Sequence, residues 1–348
     1  MAKDRYQRQT VLPEIGTAGQ ATLGAATVVI VGCGGLGSPA AAYLAGAGVG
    51  QLRLIDGDAP ELSNLHRQVF YRTDRPGSKT EQLAAHCRAL NPEVRVVSFG
   101  KPLDAGNVRQ LLRGTTLVLD CTDDARTKHL INDACVVLNL PLVYAAAQGY
   151  AGYVALFENK EKGGIQLRDL YPEPDPALPD CATAGVLPTA VGIVALLQAN
   201  AALCYLLGIG DPPIDRLLTY NALDNTQHRV RLQKTYGGAP IEPPDGKPSS
   251  VDRSALEVVE SSLSPEGYAA VFSMLSEERQ PELPPGVVRL DDRDPVGDVT
   301  RRVQDGQRYL VYCNSGKLSL VLAAQLRRTR PKAEVYSLRG GIVGLTGG

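Results

Sequence analysis

The residues of this 348-residue chain that could do chemistry begin with three spaced glycines. Gly32, Gly34 and Gly37 stand at G-x-G-x-x-G spacing in VGCGGLGSP, with Gly35 among them, directly after the apolar run TVVIV. Glycines in such a turn let backbone N–H groups close on an anion at the N-terminus of the following helix. Asp56 ends the next apolar run, QLRLID, where a carboxylate would accept hydrogen bonds from ribose hydroxyls. On their own these residues outline a nucleotide or dinucleotide site. Glycine used only for helix–sheet packing is the competing reading.

The residues after Asp56 argue against a nicotinamide dehydrogenase. DGDAPELSNLHRQVFY brings Asp58, Asn64 and Arg67 close together, and Lys79 comes next in PGSKTE. Two cations beside a phosphate site suit binding and departure of pyrophosphate, for which hydride transfer has no use. DCTDD (120–124) then closes another apolar run with carboxylates suited to Mg²⁺, or else simply solvated at a strand end. None of the four histidines (66, 86, 129, 228) sits in a motif that demands a general base.

These groups need elements to hold them. The run at 27–32, the glycine turn, an alanine-rich helical pattern to about Ala47 and the run at 51–56 read as strand, turn, helix, strand. That is a βαβ unit, so the expected fold class is α/β with a doubly wound, Rossmann-like parallel sheet. Further strands are expected at 94–99, 116–122 and 140–146, with 153–158 adding antiparallel pairing. Apolar periodicity lapses in YGGAPIEPPDGKPSSVD, placing a linker at 236–252 between a first domain (1–235) and a second (253–348). In the second, RYLVYC (308–313), a helical pattern at 319–328 and AEVYSL (333–338) form a smaller α/β pattern.

Composition narrows the function classes. A net charge of -1 gives no global pull toward nucleic acid or an anionic membrane. The start, MAKDRYQRQT, lacks the apolar core of a secretory signal. The seven cysteines are odd in number and scattered, as reduced thiols of a cytoplasmic protein would be. Residues 181–210 carry no charge over a length that could cross a bilayer. Pro188, Gln198 and Asn200 interrupt that stretch, so a buried core or subunit-interface helix is the preferred reading. At its mouth, in DLYPEPDPALPDCATAGVLP, stands Cys181: a metal ligand, a nucleophile or a small apolar residue in a turn.

RYQRQ, VGCGGLGSP, AGVG, LIDGD, SNLHRQ, GSKTE, LDCTDD and CATAGVLP occur here in the order found in MoeB/ThiF proteins, relatives of ubiquitin-activating enzymes. Over about residues 5–235 the chain resembles that family. The resemblance implies that Gly32, Gly34, Gly35, Gly37, Asp56 and Asp58 form the nucleoside end of an ATP site. It implies that Asn64, Arg67 and Lys79 contact the triphosphate, that Asp123 serves Mg²⁺ and the reacting phosphate, and that Arg8 reaches the site of the other subunit of a homodimer. The implied reaction is adenylation of the C-terminal glycine of a ubiquitin-like sulfur-carrier protein. YLVYCNSGKLS and VYSLRGGI similarly resemble the active-site loop and last strand of rhodanese-like sulfurtransferases, with Cys313 as the persulfide cysteine. Lys317 and Leu318 depart from that loop's usual arginine. Sulfur would come from a donor such as a cysteine desulfurase, and Cys181 would resolve the acyl disulfide. No nucleic acid or membrane partner is expected.

Many relatives carry two C-x-x-C pairs that bind structural zinc. Here the matching stretches, GIQLRDLYPEP and RLQKTYGGAPIEPP, contain no cysteine, so no zinc is expected. Local packing, with Pro172, Pro174, Pro176 and Pro179 stiffening the loop, is expected in its place. Two alternatives stand beside sulfur-carrier activation: adenylation of another peptide or protein C-terminus, and a scaffold that binds a ubiquitin-like protein without turnover.

Overall fold

The computed structural model describes residues 5–159, 164–174, 185–238, 241, 257–258, 263, 265–275, 277, 280–291, 295–313, 319, 322–323, 326–327, 330, 332–339 and 341–342. Two compact units, Met1–Pro248 and Ser249–Gly348, divide the chain.

In the first unit two short helices, α1 (Gln7–Thr10) and α2 (Gly16–Ala25), precede β1 (Thr27–Val31). The chain then alternates through α3 (Gly37–Gly46), β2 (Gln51–Ile55), α4 (Lys79–Leu90), β3 (Arg95–Phe99), α5 (Val108–Leu112), β4 (Leu117–Asp120), α6 (Ala125–Leu138) and β5 (Leu142–Gln148). It continues with β6 (Ala151–Phe157), α7 (Leu167–Leu170), α8 (Pro188–Leu207), β7 (Arg216–Asn221) and β8 (Thr226–Arg231). One sheet of order β3-β2-β1-β4-β5-β6-β7-β8 holds all eight strands. The first five are parallel, and β6, β7 and β8 join antiparallel.

Burial on both faces explains the near-continuous apolar runs. Along β1, Val28 and Ile30 join the core under α3 and α8, while Val29 and Val31 join the core beneath α5 and α6. The GSKTE motif is a capping box: Ser78 accepts from the Glu81 N–H, and the Glu81 carboxylate accepts from the Ser78 N–H. This fixes where α4 starts and therefore where Lys79 stands.

The uncharged stretch becomes α8, a helix long and apolar enough to cross a membrane. In the fold it lies on the sheet, and Gln198 explains its polar interruption. That buried amide donates to the Asp120 and Val143 carbonyls (both 2.9 Å) and accepts from the Cys121 thiol. Leu196 and Asn200, on the helix's other side, are exposed.

The second unit contains β9 (Glu257–Val258), β10 (Ala270–Ser273), β11 (Val287–Arg289), α9 (Pro295–Arg302), β12 (Arg308–Tyr312) and β13 (Glu334–Leu338). Its sheet is parallel throughout, in the order β11-β10-β12-β13-β9. Strands β9 and β10 precede residue 285; β9 is two residues long and β10 four, too short for periodicity to register. The described residues among 319–327 are helical, and Leu322, Ala323 and Leu326 pack against Phe272 and Val311.

Candidate functional site

The parallel strands β1 and β4 part at their C-terminal ends, because the chain turns one way after β1 to reach β2 and the other way to reach β4. Crevices at such switch points bind ligands in open α/β sheets. Here a cavity of about 550 Å³ opens, lined by the glycine turn, the ends of β2 and β5, the start of α6, and Leu167, Tyr171 and Glu173.

Two of the glycines are required by contact. Gly32 has φ +85° and packs its Cα on the Cys121 backbone, where a Cβ would lie 2.7 Å from the carbonyl oxygen. A Cβ at Gly37 would collide with the Gly32 carbonyl. Gly32, Gly34 and Gly35 line the cavity, whereas Gly37 shapes the turn from behind. Asp56 holds that turn: Oδ2 accepts from the Cys33 N–H (2.7 Å) and Oδ1 from the Asp58 N–H (2.8 Å). Burial raises the Asp56 pKa, against the Lys79 charge and these two N–H donors. Burial likewise lifts the thiols of Cys33 and Cys121, and that of Cys87 to about 12, so these cysteines are packing residues and not thiolate nucleophiles.

Lys79 reaches the cavity from the first turn of α4 with its Nζ 3.0 Å from Asp58 Oδ2. Arg67 also lines the cavity, and its Nη2 donates to Asn64 Oδ1 at 2.9 Å. Asn64 itself does not line the cavity; it orients the guanidinium and donates to Glu61. Arg8 lies on α1, exposed and outside the cavity of its own chain. Cys181 lies outside the described residues. Cys313, in the second unit, is buried at the end of β12 and accepts from Ser319 Oγ at 3.5 Å.

The carboxylates of DCTDD divide their work. Asp120 is fully buried and accepts from the Thr122 N–H and hydroxyl and from Lys128 Nζ. Asp124 caps α6, accepting from the Thr127 N–H and hydroxyl at 2.7 Å. Asp123 is exposed to the cavity with no side-chain hydrogen bond or ion pair among the described residues. Of the three, Asp123 therefore supplies the free oxygen ligand. That fits Mg²⁺, which is held by one or two carboxylates together with substrate phosphates. Among the described residues no three His, Cys, Asp or Glu side chains form a metal-ligand group.

Lys128 is a cavity-lining cation that motif spacing does not single out. Its Nζ donates to Asp120 and to the Ala145 carbonyl (3.0 Å) and lies 4.8 Å from the Tyr144 ring centre. Tyr144, Tyr153 and Tyr171 add an aromatic wall. Only pairing of β4, β5 and β6 brings these residues together, so no local signal announces them.

The two stretches that the resemblance assigns to thiolate pairs meet in the fold, 164–171 against 234–236. Their residues do not fit a tetrahedral thiolate site. Asp169, its side chain 1% exposed, accepts at Oδ1 from the Thr235 and Tyr236 N–H groups (both 2.7 Å) and at Oδ2 from the Gln166 N–H (2.9 Å) and Lys234 Nζ (3.2 Å). A carboxylate with four donors joins these segments. Pro172 contributes a carbonyl to the neighbouring Arg168 (2.6 Å), and Pro176 and Pro179 lie outside the described residues.

A glycine turn, a carboxylate at its base and two cations at the switch point of a 3-2-1-4-5 sheet define a nucleotide-binding protein of the doubly wound α/β class. Residues 6–238 match the ThiF family, and the chain belongs to it. It is 42% identical over 237 residues to the sulfur carrier protein adenylyltransferase of Thermus thermophilus, covering 66% of this chain and 88% of that protein. It is 41% identical over 233 residues to the adenylyltransferase and sulfurtransferase MOCS3 of Sus scrofa, covering 66% of this chain but 51% of that protein. The match thus spans about half the length of MOCS3 relatives. Among solved structures, E. coli MccB with ATP superimposes with a TM-score of 0.58 at 21% identity, covering 67% of this chain and 73% of that one.

Proposed function

We propose that this chain uses ATP to adenylate the C-terminal Gly-Gly carboxylate of a ubiquitin-like sulfur-carrier protein. The observation that carries the proposal is the convergence of Gly32–Gly35, Asp56, Arg67, Lys79 and the free carboxylate of Asp123 on one cavity. Relatives about 40% identical over this unit bear names for that activity.

The backbone N–H groups of the glycine turn would receive phosphate oxygens, and Asp56 the ribose hydroxyls. The carrier's carboxylate is already ionised near pH 7 and needs no general base. Its oxygen attacks the α-phosphorus, the bond to the bridging oxygen breaks, and pyrophosphate leaves with its electron pair. Arg67 and Lys79 stabilise the charge that accumulates on the leaving group, and Lys128 adds a third cation at the α-phosphate side. Asp123 would hold Mg²⁺ together with the phosphates, and the ion would supply charge neutralisation. The rest of the catalysis is alignment, by Asn64 on Arg67 and by the capping box on Lys79.

Sulfur transfer forms the second half of the proposal. A persulfide on Cys313, loaded by a cysteine desulfurase or a similar donor, attacks the acyl carbon and expels AMP. The Cys181 thiolate then attacks the Cys313 sulfur, releasing the thiocarboxylate and leaving a Cys181–Cys313 disulfide for a cellular thiol to reduce. A cytoplasmic homodimer, with Arg8 serving the partner's site, completes the reading. ATP–pyrophosphate exchange that depends on an added carrier ending in Gly-Gly tests the first half; no exchange with any such carrier refutes it. Cys313→Ala tests the second half: thiocarboxylate formation should stop while exchange continues.

A further inference from the structure

Three parts of the chain far apart in sequence meet beside the cavity: 129–133 on α6, the segment 166–173, and 234–236 after β8. Among the described residues, no buried side-chain nitrogen or oxygen at their junction is without a partner. The Arg168 guanidinium, buried, grips Asp133 with two parallel bonds (Nε to Oδ1 2.8 Å, Nη2 to Oδ2 2.9 Å) and lies 5.6 Å from the Tyr236 ring centre. Asn132 donates to Gln166 Oε1 (3.0 Å) and accepts from the Leu167 N–H (2.9 Å). A His129 ring nitrogen sits 2.8 Å from the Tyr171 carbonyl. Next to Arg168, Asp169 turns the opposite way and takes its four donors, with Lys234 Nζ also donating to the Gly164 carbonyl (2.8 Å). The wall so fixed is the one that presents Leu167, Tyr171 and Glu173 to the cavity.

We propose that Asp169 is a positioning residue for the reaction: by fastening 166–173 to 234–236 it sets the cavity wall Leu167–Glu173 at the distance from Asp123 and Lys128 at which ATP is bound. It touches neither nucleotide nor carrier and acts through Leu167, Tyr171 and Glu173. The proposal rests on the adenylation reading for its ligand, but the placement of the wall stands independently of it. Three of the four donors come from 234–236 and the fourth from Gln166, at the edge of the wall, so removing the carboxylate loosens that side of the wall, while its bonds to α6 remain, without altering any residue that faces the ligand. A buried carboxylate is also unforgiving of substitution: in Asp169→Asn the Nδ2 group would meet the Gln166 N–H and Lys234, donor against donor.

The test uses the full chain. Hydrogen–deuterium exchange over 166–173, without ATP, reads the wall; calorimetry with Mg·ATP and the KM for ATP in carrier-dependent exchange read the consequence. In Asp169→Asn the amides of 166–173 should exchange at least tenfold faster than in the wild type, and Kd and KM for ATP should both rise about tenfold, the scale of a misplacement near 1 Å or less. Lys234→Met, which removes one partly exposed donor and should fold whatever Asp169→Asn does, should shift each quantity the same way by two- to threefold. Unchanged protection of 166–173 in both variants overturns the proposal. So does a fall in kcat that merely tracks the folded fraction with KM unchanged, the signature of a residue that supports the fold and nothing more. A wild type that binds no ATP would instead remove the adenylation reading, leaving the exchange measurement to decide the placement of the wall.

Discussion

Lys79 gives the sharpest separation between a structural ion pair and a phosphate-binding cation. Its ammonium is 6% exposed and its one ion-pair partner among the described residues, Asp58, is 52% exposed. Replacing Lys79 by Met keeps the buried hydrocarbon stem and removes the charge. The Asp58 carboxylate left behind retains water and the buried Asp56 carboxylate, which also feels the Lys79 charge, keeps its two N–H donors, so most of the penalty of several kcal/mol for an uncompensated buried charge does not arise. The pair is then worth what exposed pairs are worth, about 0–1 kcal/mol, and for a unit of this size the melting temperature should fall by no more than about 4 °C. Catalysis should respond on another scale. Removing a preorganised group that meets developing charge costs about 10²–10³ in rate, equivalent to about 2.7–4 kcal/mol. Differential scanning fluorimetry and carrier-dependent ATP–pyrophosphate exchange on the same preparation read the two numbers. A Lys79→Met protein that melts 10 °C lower, or that exchanges within threefold of the wild type, refutes the reasoning.

Three further outcomes are expected. Asp123→Ala should lower exchange at least 100-fold and leave the melting temperature within about 2 °C, because its carboxylate supports nothing else in the fold; a calorimetric titration of Mg²⁺ with ATP present should show the weakened site. Gly32→Ala forces a side chain into a φ of +85° and against the Cys121 carbonyl, so thermal denaturation should show a loss of about 2 kcal/mol or more. Burial raises the Asp169 pKa, but N–H donors from Tyr236, Gln166 and Thr235 and the Lys234 ammonium outweigh it and hold the value below the ordinary one. Because the folded value is depressed, the stabilisation is complete above the unfolded value near 4 and fades as pH falls through the folded one. Urea midpoints measured from pH 6 down to 3 should therefore drop less in Asp169→Asn than in the wild type.

Legibility tracked the range of the interactions. Strand β1, the glycine turn, α3 and β2 are readable because an apolar run, a helix N-terminus and a switch of periodicity lie within about thirty residues of one another. The pairing of β6 against β5 is readable for the same reason. The hairpin of β7 and β8 is not, since every β8 residue is exposed and no alternation marks it. Arg67, Lys79 and Asp56, which motif spacing singles out, line the cavity, and only the fold shows Asn64 holding Arg67 from outside that lining. The resemblance picks Asp123 from DCTDD, but only the fold tells which carboxylate caps a helix, which is buried against Lys128 and which has no side-chain partner among the described residues. The Asp169 junction is invisible in the sequence because three of its four donors lie more than sixty positions away.

Gln198 carries a consequence for how this family member can change over time. Its amide fits a single pair of carbonyls, on Asp120 and Val143, so a shift of α8 by one residue would press a polar group into hydrocarbon and break both bonds. The helix is thereby keyed to the sheet in one register. Insertions or deletions upstream of Val186 must be absorbed before the key is reached, and they leave the ends of β4 and β5, and with them the reacting groups, where they are.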